Sequence, residues 1–139
     1  MFYNFGSMIN WHFFPKSAKT PNHLIKVVNV FNNQRSKINS EIHTLDSNAV
    51  LETVRNDLEE NGFLVETSKK KEGKIIVPVL FGINGQLDKY FEADGLNKEY
   101  KTVIEVEAGR GYANNQFLKD LFQACVMHDI DYLYVFSES

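Results

Sequence analysis

Acidic residues occupy alternate positions of an aliphatic segment in the second half of the chain. Residues 103–107 read VIEVE, a composition that predicts a β-strand. Because successive side chains of a strand point to opposite faces, Glu105 and Glu107 share one face and lie about 6.5 Å apart. Burying ionised carboxylates without a compensating charge is costly. Oxygen atoms are the ligands that Mg²⁺ or Mn²⁺ prefers, so the pattern predicts a metal site on this strand.

A further acidic residue, Asp94, ends the preceding predicted strand in the segment FEADG at 91–95. A solvated face is the alternative for Asp94, Glu105 and Glu107, because an antiparallel sheet can leave one face in water. Val103 would then be exposed on the same face, and three like charges would repel one another. Both consequences favour the metal site.

Length and composition place the chain among globular proteins. Its 139 residues, 43% of them hydrophobic and 13% aromatic, are expected to form a single domain over 1–139. No apolar run approaches the ~18 residues of a membrane span, and the aromatic N-terminus lacks the pattern of a signal peptide. The lone Cys125 excludes a disulfide within the chain and predicts a small core residue in a reducing cytoplasm.

Hydrophobic periodicity and turn signals define the expected elements. Thr20-Pro21 predicts the start of a helix over about 21–38, and Asp46 or Ser47 caps a second helix that Gly62 ends. Asn84-Gly85 predicts a hairpin turn, and Pro78 predicts an edge strand or a bulge. The predicted strands lie at 63–67, 74–81, 87–94, 101–108 and 131–136, and a third helix lies at 113–128.

This order of elements predicts an α+β (mixed α/β) fold. A central mixed β-sheet is flanked by helices, with an additional N-terminal helix in an extension over 1–45. The helical crossover at 113–128 should be right-handed, which makes the last strand parallel to the strand that carries Glu105.

Asp94 at the end of one strand and Glu105-Val106-Glu107 in the next resemble the PD-(D/E)xK nuclease superfamily, which includes many restriction endonucleases. A turn at 95–97 would join the two strands, and the resemblance covers about 46–136. It implies a restriction endonuclease-like core in which Asp94 and Glu105 bind Mg²⁺ (or Mn²⁺). The family usually has lysine at the position of Glu107, although an E-x-E version occurs in a minority of active restriction enzymes.

The same residues have a chemical rationale. A metal held by Asp94 and Glu105 against a phosphate would lower the pKa of its bound water and stabilise developing negative charge. Glu107 would be a further ligand or a general base for that water. Related enzymes often supply another acidic metal ligand from the preceding helix, and Glu52 is the candidate here, ahead of Glu59 and Glu60.

Nucleic-acid contacts are expected around this site. Arg110 follows the acidic strand and would clamp a phosphate, although an exposed ion pair is an equal alternative. The next helix often faces DNA in related nucleases, and a solvated face is its alternative. A lysine cluster near Gly73 is either a solvated hairpin tip or a phosphate-contacting loop. The candidate DNA-binding residues are Arg110, Asn115, Gln116, Lys119 and Lys70.

The predicted function is a metal-dependent phosphodiesterase that cleaves DNA with Mg²⁺-activated water. The alternative is a catalytically inactive nuclease-fold module that binds nucleic acid or a protein partner. A small-molecule metal hydrolase is disfavoured, because the four histidines show no metal-ligand spacing. The formal net charge of −3 gives no bulk attraction to nucleic acid, so binding would depend on local charge. Restriction-like nucleases commonly act as dimers, so a homodimer is expected.

Overall fold

The computed structural model describes residues 9–39, 45–67, 73–107 and 116–137, with the backbone alone at 116–118. These residues form a mixed α+β fold, as predicted. In chain order the elements are helices α1 (Asn22–Asn33), α2 (Arg35–Ile38) and α3 (Ser47–Glu60), strands β1 (Leu64–Val65), β2 (Ile75–Phe81), β3 (Leu87–Ala93), β4 (Gly95–Asn97) and β5 (Thr102–Glu107), helix α4 (Gln116–Val126) and strand β6 (Tyr132–Ser137). None of the helices in these ranges is long and apolar enough to cross a membrane.

The strands form two sheets. A four-stranded sheet has the order β1-β4-β5-β6, and β2 and β3 form a separate two-stranded hairpin. β4 is antiparallel to both β1 and β5, whereas β6 is parallel to β5, as predicted for a strand that follows a helical crossover. The acidic strand β5 is therefore an inner strand of a mixed sheet.

The segment at 95–97 is strand β4 rather than the predicted turn. Its central residue Leu96 pairs with Leu64 of β1 on one side and with Val103 of β5 on the other. Gly95 permits this close approach, because a Cβ there would lie 3.3 Å from the Cβ of Ile104. The chain reverses after β4, at Lys98–Lys101, where Lys101 has a positive φ of 49°.

The predicted helix boundaries are largely confirmed. The helix expected over 21–38 is interrupted at Gln34, which separates α1 from α2. Asp46 caps α3, since its carboxylate accepts the backbone N–H of Ala49 at 2.8 Å. Gly62 follows α3 with a φ of +88°, a conformation that glycine adopts without strain.

The β2–β3 hairpin has the predicted irregularities. The pairing register shifts after Pro78, which cannot donate a ladder hydrogen bond. A 3₁₀ turn at Ile83–Gly85 joins the strands, with positive φ angles of 56° at Asn84 and 73° at Gly85. Asn-Gly thus forms the predicted hairpin turn.

Both faces of β5 are packed. Ile104 and Val106 belong to the main core with helices α1 and α3, and Phe31 of α1 stacks on Phe136 at 4.7 Å between ring centroids. Val103 points to the opposite face and belongs to a second apolar cluster with Val77 and other residues. Side chains on either face of β5 are therefore removed from water along most of the strand.

Helix α4 is rotated relative to the prediction. The apolar spacing of Leu121, Phe122 and Val126 predicts that they pack inward, but they are exposed, and Phe122 is 68% accessible. Cys125, predicted as a core residue, is also exposed. The residues that α4 and its end bury are Asp120, Ala124 and Met127, spaced at i, i+4 and i+7.

Candidate metal centre

Asp94 lies where the chain passes from the hairpin to the main sheet. Its carboxylate Oδ2 accepts the backbone N–H of Val106 at 2.8 Å. Its carbonyl oxygen accepts the backbone N–H of Glu66 at 2.9 Å. Strands on both sides thus fix Asp94, and its carboxylate is directed across the end of β5.

Glu105 is buried beside Asp94, with only 8% of its surface exposed. Burial first, and then the negative charge of Asp94, raise the pKa of Glu105 to about 10. Burial raises the pKa of Asp94 to about 6, although hydrogen bonds from Val106 and Glu105 lower it. Near neutral pH the protonated Glu105 therefore donates a hydrogen bond to the ionised Asp94. The solvated-face interpretation of the acidic strand is wrong at Glu105.

Glu107 and Asp120 extend this group. Glu107, at the end of β5, is partly exposed, whereas Asp120 of α4 is only 3% exposed. Burial and a hydrogen bond to Asp120 raise the pKa of Glu107 to about 8. One carboxylate oxygen from each of Glu105, Glu107 and Asp120 lies within 4.8 Å of the other two. We refer to Asp94, Glu105, Glu107 and Asp120 as the carboxylate cluster.

The donor set of this cluster fits a hard divalent cation. All the available atoms are carboxylate oxygens, which suit Mg²⁺ or Mn²⁺ rather than a soft metal. Two opposite oxygen ligands of Mg²⁺ are about 4.2 Å apart, at roughly 2.1 Å from the ion each. The three oxygens lie within 4.8 Å of one another, so small side-chain rotations would allow Glu105, Glu107 and Asp120 to hold such an ion.

Asp120 was not predicted as a site residue. By its spacing, Asp120 falls on the polar side of the helix with Lys119 and Gln123, which is the side expected to face DNA or solvent. The apolar residues of α4 gave the stronger periodic signal, but they face outward in the structure. Asp120, Ala124 and Met127 are spaced at i, i+4 and i+7, which places them on one side of a helix. This spacing is the sequence pattern from which the buried side of α4 could have been identified.

Glu66 was also missed, and it adjoins Asp94. The pairing of Val65 with Gly95 places Glu66 opposite Asp94 at the end of β1. A hydrogen bond to Glu66, together with its negative charge, contributes to the raised pKa of Asp94. The Glu66 carboxylate also pairs with the Lys74 ammonium. The sequence gives no sign of this proximity, because it depends on which strands pair.

Glu52, the predicted ligand from the preceding helix, lies elsewhere. Its side chain is 68% exposed and forms an ion pair with Arg55 one turn along α3. Arg55 also donates to the backbone carbonyl of Glu66 at 2.9 Å. Glu66 contacts Asp94 through its backbone N–H and its carboxyl group, so on this side the structure brings Glu66 to the cluster.

Two of the five predicted DNA-contacting residues, Gln116 and Lys119, fall within the described residues. Lys119 is exposed on α4, and its positive charge lowers the pKa of Glu107, so it lies at the edge of the cluster. Gln116 begins α4. Arg110, Asn115 and Lys70 lie outside the described residues. Lys74, expected within a hairpin-tip lysine cluster, instead immediately precedes β2 and binds Glu66.

His23, one of the four histidines without metal-ligand spacing, takes part in packing rather than in the cluster. Its ring stacks on Tyr100 at 4.6 Å and hydrogen-bonds the hydroxyl of Thr102 at 2.9 Å. That hydroxyl donates to the carbonyl of Tyr100, so His23 Nε2 is the donor to it. Burial lowers the pKa of His23, which agrees with a neutral ring.

The chain was compared with protein-family models, with curated proteins and with solved structures, and none of them matches it. A function for the chain must therefore come from the chemistry of its own residues. The carboxylate cluster is the group from which such a function follows most directly.

Proposed function

We propose that this protein is a Mg²⁺- or Mn²⁺-dependent phosphodiesterase of the restriction endonuclease-like type, which cleaves DNA. The observation that carries the proposal is the convergence of four carboxyl groups from three separate parts of the fold. Asp94 comes from the hairpin junction, Glu105 and Glu107 from β5, and Asp120 from α4. A bound cation would take the place of the protons that hold these acids together in the metal-free protein.

The residues of the cluster have different tasks in this proposal. Asp94 and Glu105 are the most firmly placed, since one accepts a backbone N–H and the other is buried against it. Glu105 would hold the metal with Asp120, whose carboxylate oxygen lies within 4.8 Å of its own, and with Asp94 beside them; the bound metal would polarise the scissile phosphate and activate water. Glu107 is more exposed, and its raised pKa of about 8 keeps it mostly protonated near neutral pH in the metal-free protein; a bound cation would displace that proton and leave Glu107 able to accept one from the attacking water.

The arrangement of elements supports the restriction endonuclease-like type. Helix α3 precedes the hairpin, the hairpin leads through Asp94 to β4 and β5, and α4 crosses over to a parallel β6. This is the order implied by the resemblance to the PD-(D/E)xK superfamily. This chain has Glu107 at the position where most of that superfamily has lysine.

The test is cleavage of a supercoiled plasmid in Mn²⁺ or Mg²⁺, with chelator as the blank. The wild type should convert plasmid to nicked or linear DNA only when metal is present. Asp94→Ala should lose cleavage by about 100-fold or more, the usual scale for loss of a catalytic electrostatic group. Asp88→Asn is the matched control, since Asp88 is an exposed acid of the same hairpin. No cleavage by the wild type in either metal, or equal cleavage by Asp94→Ala, would contradict the proposal.

A catalytically inactive binding module is the second candidate, and one observation favours it. Apolar side chains are exposed on the hairpin and on α4, notably Phe81, Ile83 and Phe122, and exposed patches of this kind often bind proteins. Such a module would retain DNA or protein binding in the Asp94→Ala variant and would leave plasmid intact. The cleavage experiment therefore separates the two candidates.

A further inference from the structure

One cation is held directly against the acidic residues around Asp94. The Lys74 ammonium pairs with the carboxylate of Glu66 and lies 3.4 Å from Oε2 of Glu92. Its side chain is 23% exposed, so the charge lies at the surface of the site rather than within the core. The two acids that hold the Lys74 ammonium come from different parts of the fold: Glu66 follows β1, and Glu92 belongs to β3.

Glu66 connects this cation to the carboxylate cluster. The backbone N–H of Glu66 donates to the carbonyl of Asp94 at 2.9 Å, and the two carboxyl groups also share a hydrogen bond. The Lys74 ammonium is thus separated from the Asp94 carboxylate by one carboxyl group. The link through Glu66 therefore connects the Lys74 ammonium to the site.

A phosphodiester cannot approach such a site without cationic help. The cluster and Glu66 together place five carboxyl groups around the position that an anionic substrate would occupy. Further negative charge develops on the phosphoryl oxygens in the transition state. A positive protein charge next to the metal site therefore serves both binding and catalysis.

The other cations near the site in the described part of the chain are less suitable. Arg55 donates to the carbonyl of Glu66 and to Glu52, so its guanidinium is engaged on the α3 side. Lys119 is exposed beside Glu107, and no ion pair fixes it among the described residues. Lys74 alone among them is bonded to a carboxylate that contacts Asp94.

We propose that Lys74 binds a non-bridging oxygen of the scissile phosphate and stabilises the negative charge that develops there, an inference that rests on the proposed phosphodiesterase function. An ammonium has three donors, and Glu66 and Glu92 account for two. In the hydrolysis step the water oxygen bonds to phosphorus and its proton passes to Glu107. The ester P–O bond breaks, and the departing oxygen takes a proton from solvent. Lys74 keeps its protons throughout.

The experiment compares Lys74→Met, Lys74→Arg and Lys89→Met for Mn²⁺ affinity and for plasmid cleavage at saturating Mn²⁺. Lys89 lies exposed on the same hairpin and serves as the matched control. Lys74→Met should bind Mn²⁺ as tightly as the wild type or more tightly, because a like charge has been removed from beside the cation. Its cleavage rate should fall by about 100-fold or more, Lys74→Arg should recover part of the rate, and Lys89→Met should match the wild type.

Cleavage by Lys74→Met within about threefold of the wild type would overturn the role of Lys74, because a phosphate-binding cation is worth more than this. Loss of Mn²⁺ binding together with thermal stability in Lys74→Met would also overturn it, since the lysine would then only hold Glu66 in place. Failure of the wild type to cleave would overturn the proposed function, and the role of Lys74 with it. Retained cleavage in Lys74→Met would leave the proposed function intact.

Discussion

The carboxylate of Asp94 accepts the backbone N–H of Val106, with 2.8 Å between Oδ2 and N. Val106 stands between Glu105 and Glu107 in β5, so this one hydrogen bond brings Asp94 to both acids. The bond can form because β3 ends at Ala93 and β4 begins at Gly95, which leaves Asp94 outside either ladder. The interruption between β3 and β4 at Asp94 therefore brings the Asp94 carboxylate to Glu105 and Glu107.

Two substitutions at Asp94 should separate the hydrogen bond from the charge. Asp94→Ala leaves the part-buried N–H of Val106 without its acceptor and should lower the free energy of unfolding by about 1–3 kcal/mol. Asp94→Asn retains an amide oxygen as acceptor and removes a repelling charge, so its stability at pH 8 should equal or exceed that of the wild type. Urea unfolding in chelator measures both. Equal losses in the two variants would show that the hydrogen bond contributes nothing.

The metal-free protein should become less stable as the pH rises. The raised pKa values are about 6 for Asp94, 8 for Glu107 and 10 for Glu105, whereas unfolded carboxyl groups titrate near about 4. Between these limits the native state binds more protons than the unfolded state, so the stabilisation is full below about pH 4 and is lost as the pH rises through the folded values.

Urea unfolding in chelator from pH 5 to pH 9 measures this dependence. The free energy of unfolding should fall across the range, and Glu105→Gln should reduce the slope by removing the group with the highest pKa. Glu99→Gln, at an exposed site, is the control and should retain the wild-type slope. A free energy of unfolding that rises with pH would contradict the protonated state of the cluster.

The sequence predicted the parts of the site that depend on neighbours along the chain. Alternation within 103–107 identified Glu105 and Glu107 as sharing a face, and the end of the preceding strand identified Asp94. Glu66 and Asp120 escaped notice because their proximity arises from strand pairing and from the rotation of α4. Local periodicity cannot report strand pairing, and in α4 it was stronger for the apolar residues than for Asp120, Ala124 and Met127. It favoured the wrong face of α4, because that helix exposes its larger apolar side chains.

Glu107→Lys should fold and remain active. Glu107 is partly exposed and hydrogen-bonds Asp120, so a lysine there can pair with the same aspartate. Loss of one carboxylate should weaken Mn²⁺ binding, while the added cation should stabilise the developing phosphate charge enough to offset loss of the proton acceptor, whose role passes to solvent, so that cleavage in Mg²⁺ is kept or increased. Calorimetric Mn²⁺ titration and plasmid cleavage measure the two effects. Unfolding of the variant would show that Glu107 is a structural partner and that its assignment to the site is wrong.

Glu66 and Glu52 make a matched pair of acids for testing which one supports the metal. Glu66 contacts Asp94, whereas Glu52 is exposed and paired with Arg55. Glu66→Gln should weaken Mn²⁺ binding by about tenfold, the scale of a lost outer-shell partner, and Glu52→Gln should leave it unchanged. Mn²⁺ titrations of the two variants under identical conditions provide the comparison. The reverse order of effects would restore Glu52 to the site.

Calorimetric titration of the metal-free protein with Mn²⁺ near pH 7.5 tests the carboxylate cluster most directly. The wild type should give a saturable binding isotherm whose heat depends on the buffer, because Mn²⁺ displaces protons held by Glu105 and Glu107. Glu105→Gln should abolish the isotherm while leaving the fold intact. Absence of saturable binding at millimolar Mn²⁺, or an identical isotherm in Glu105→Gln, would contradict a metal centre at this strand.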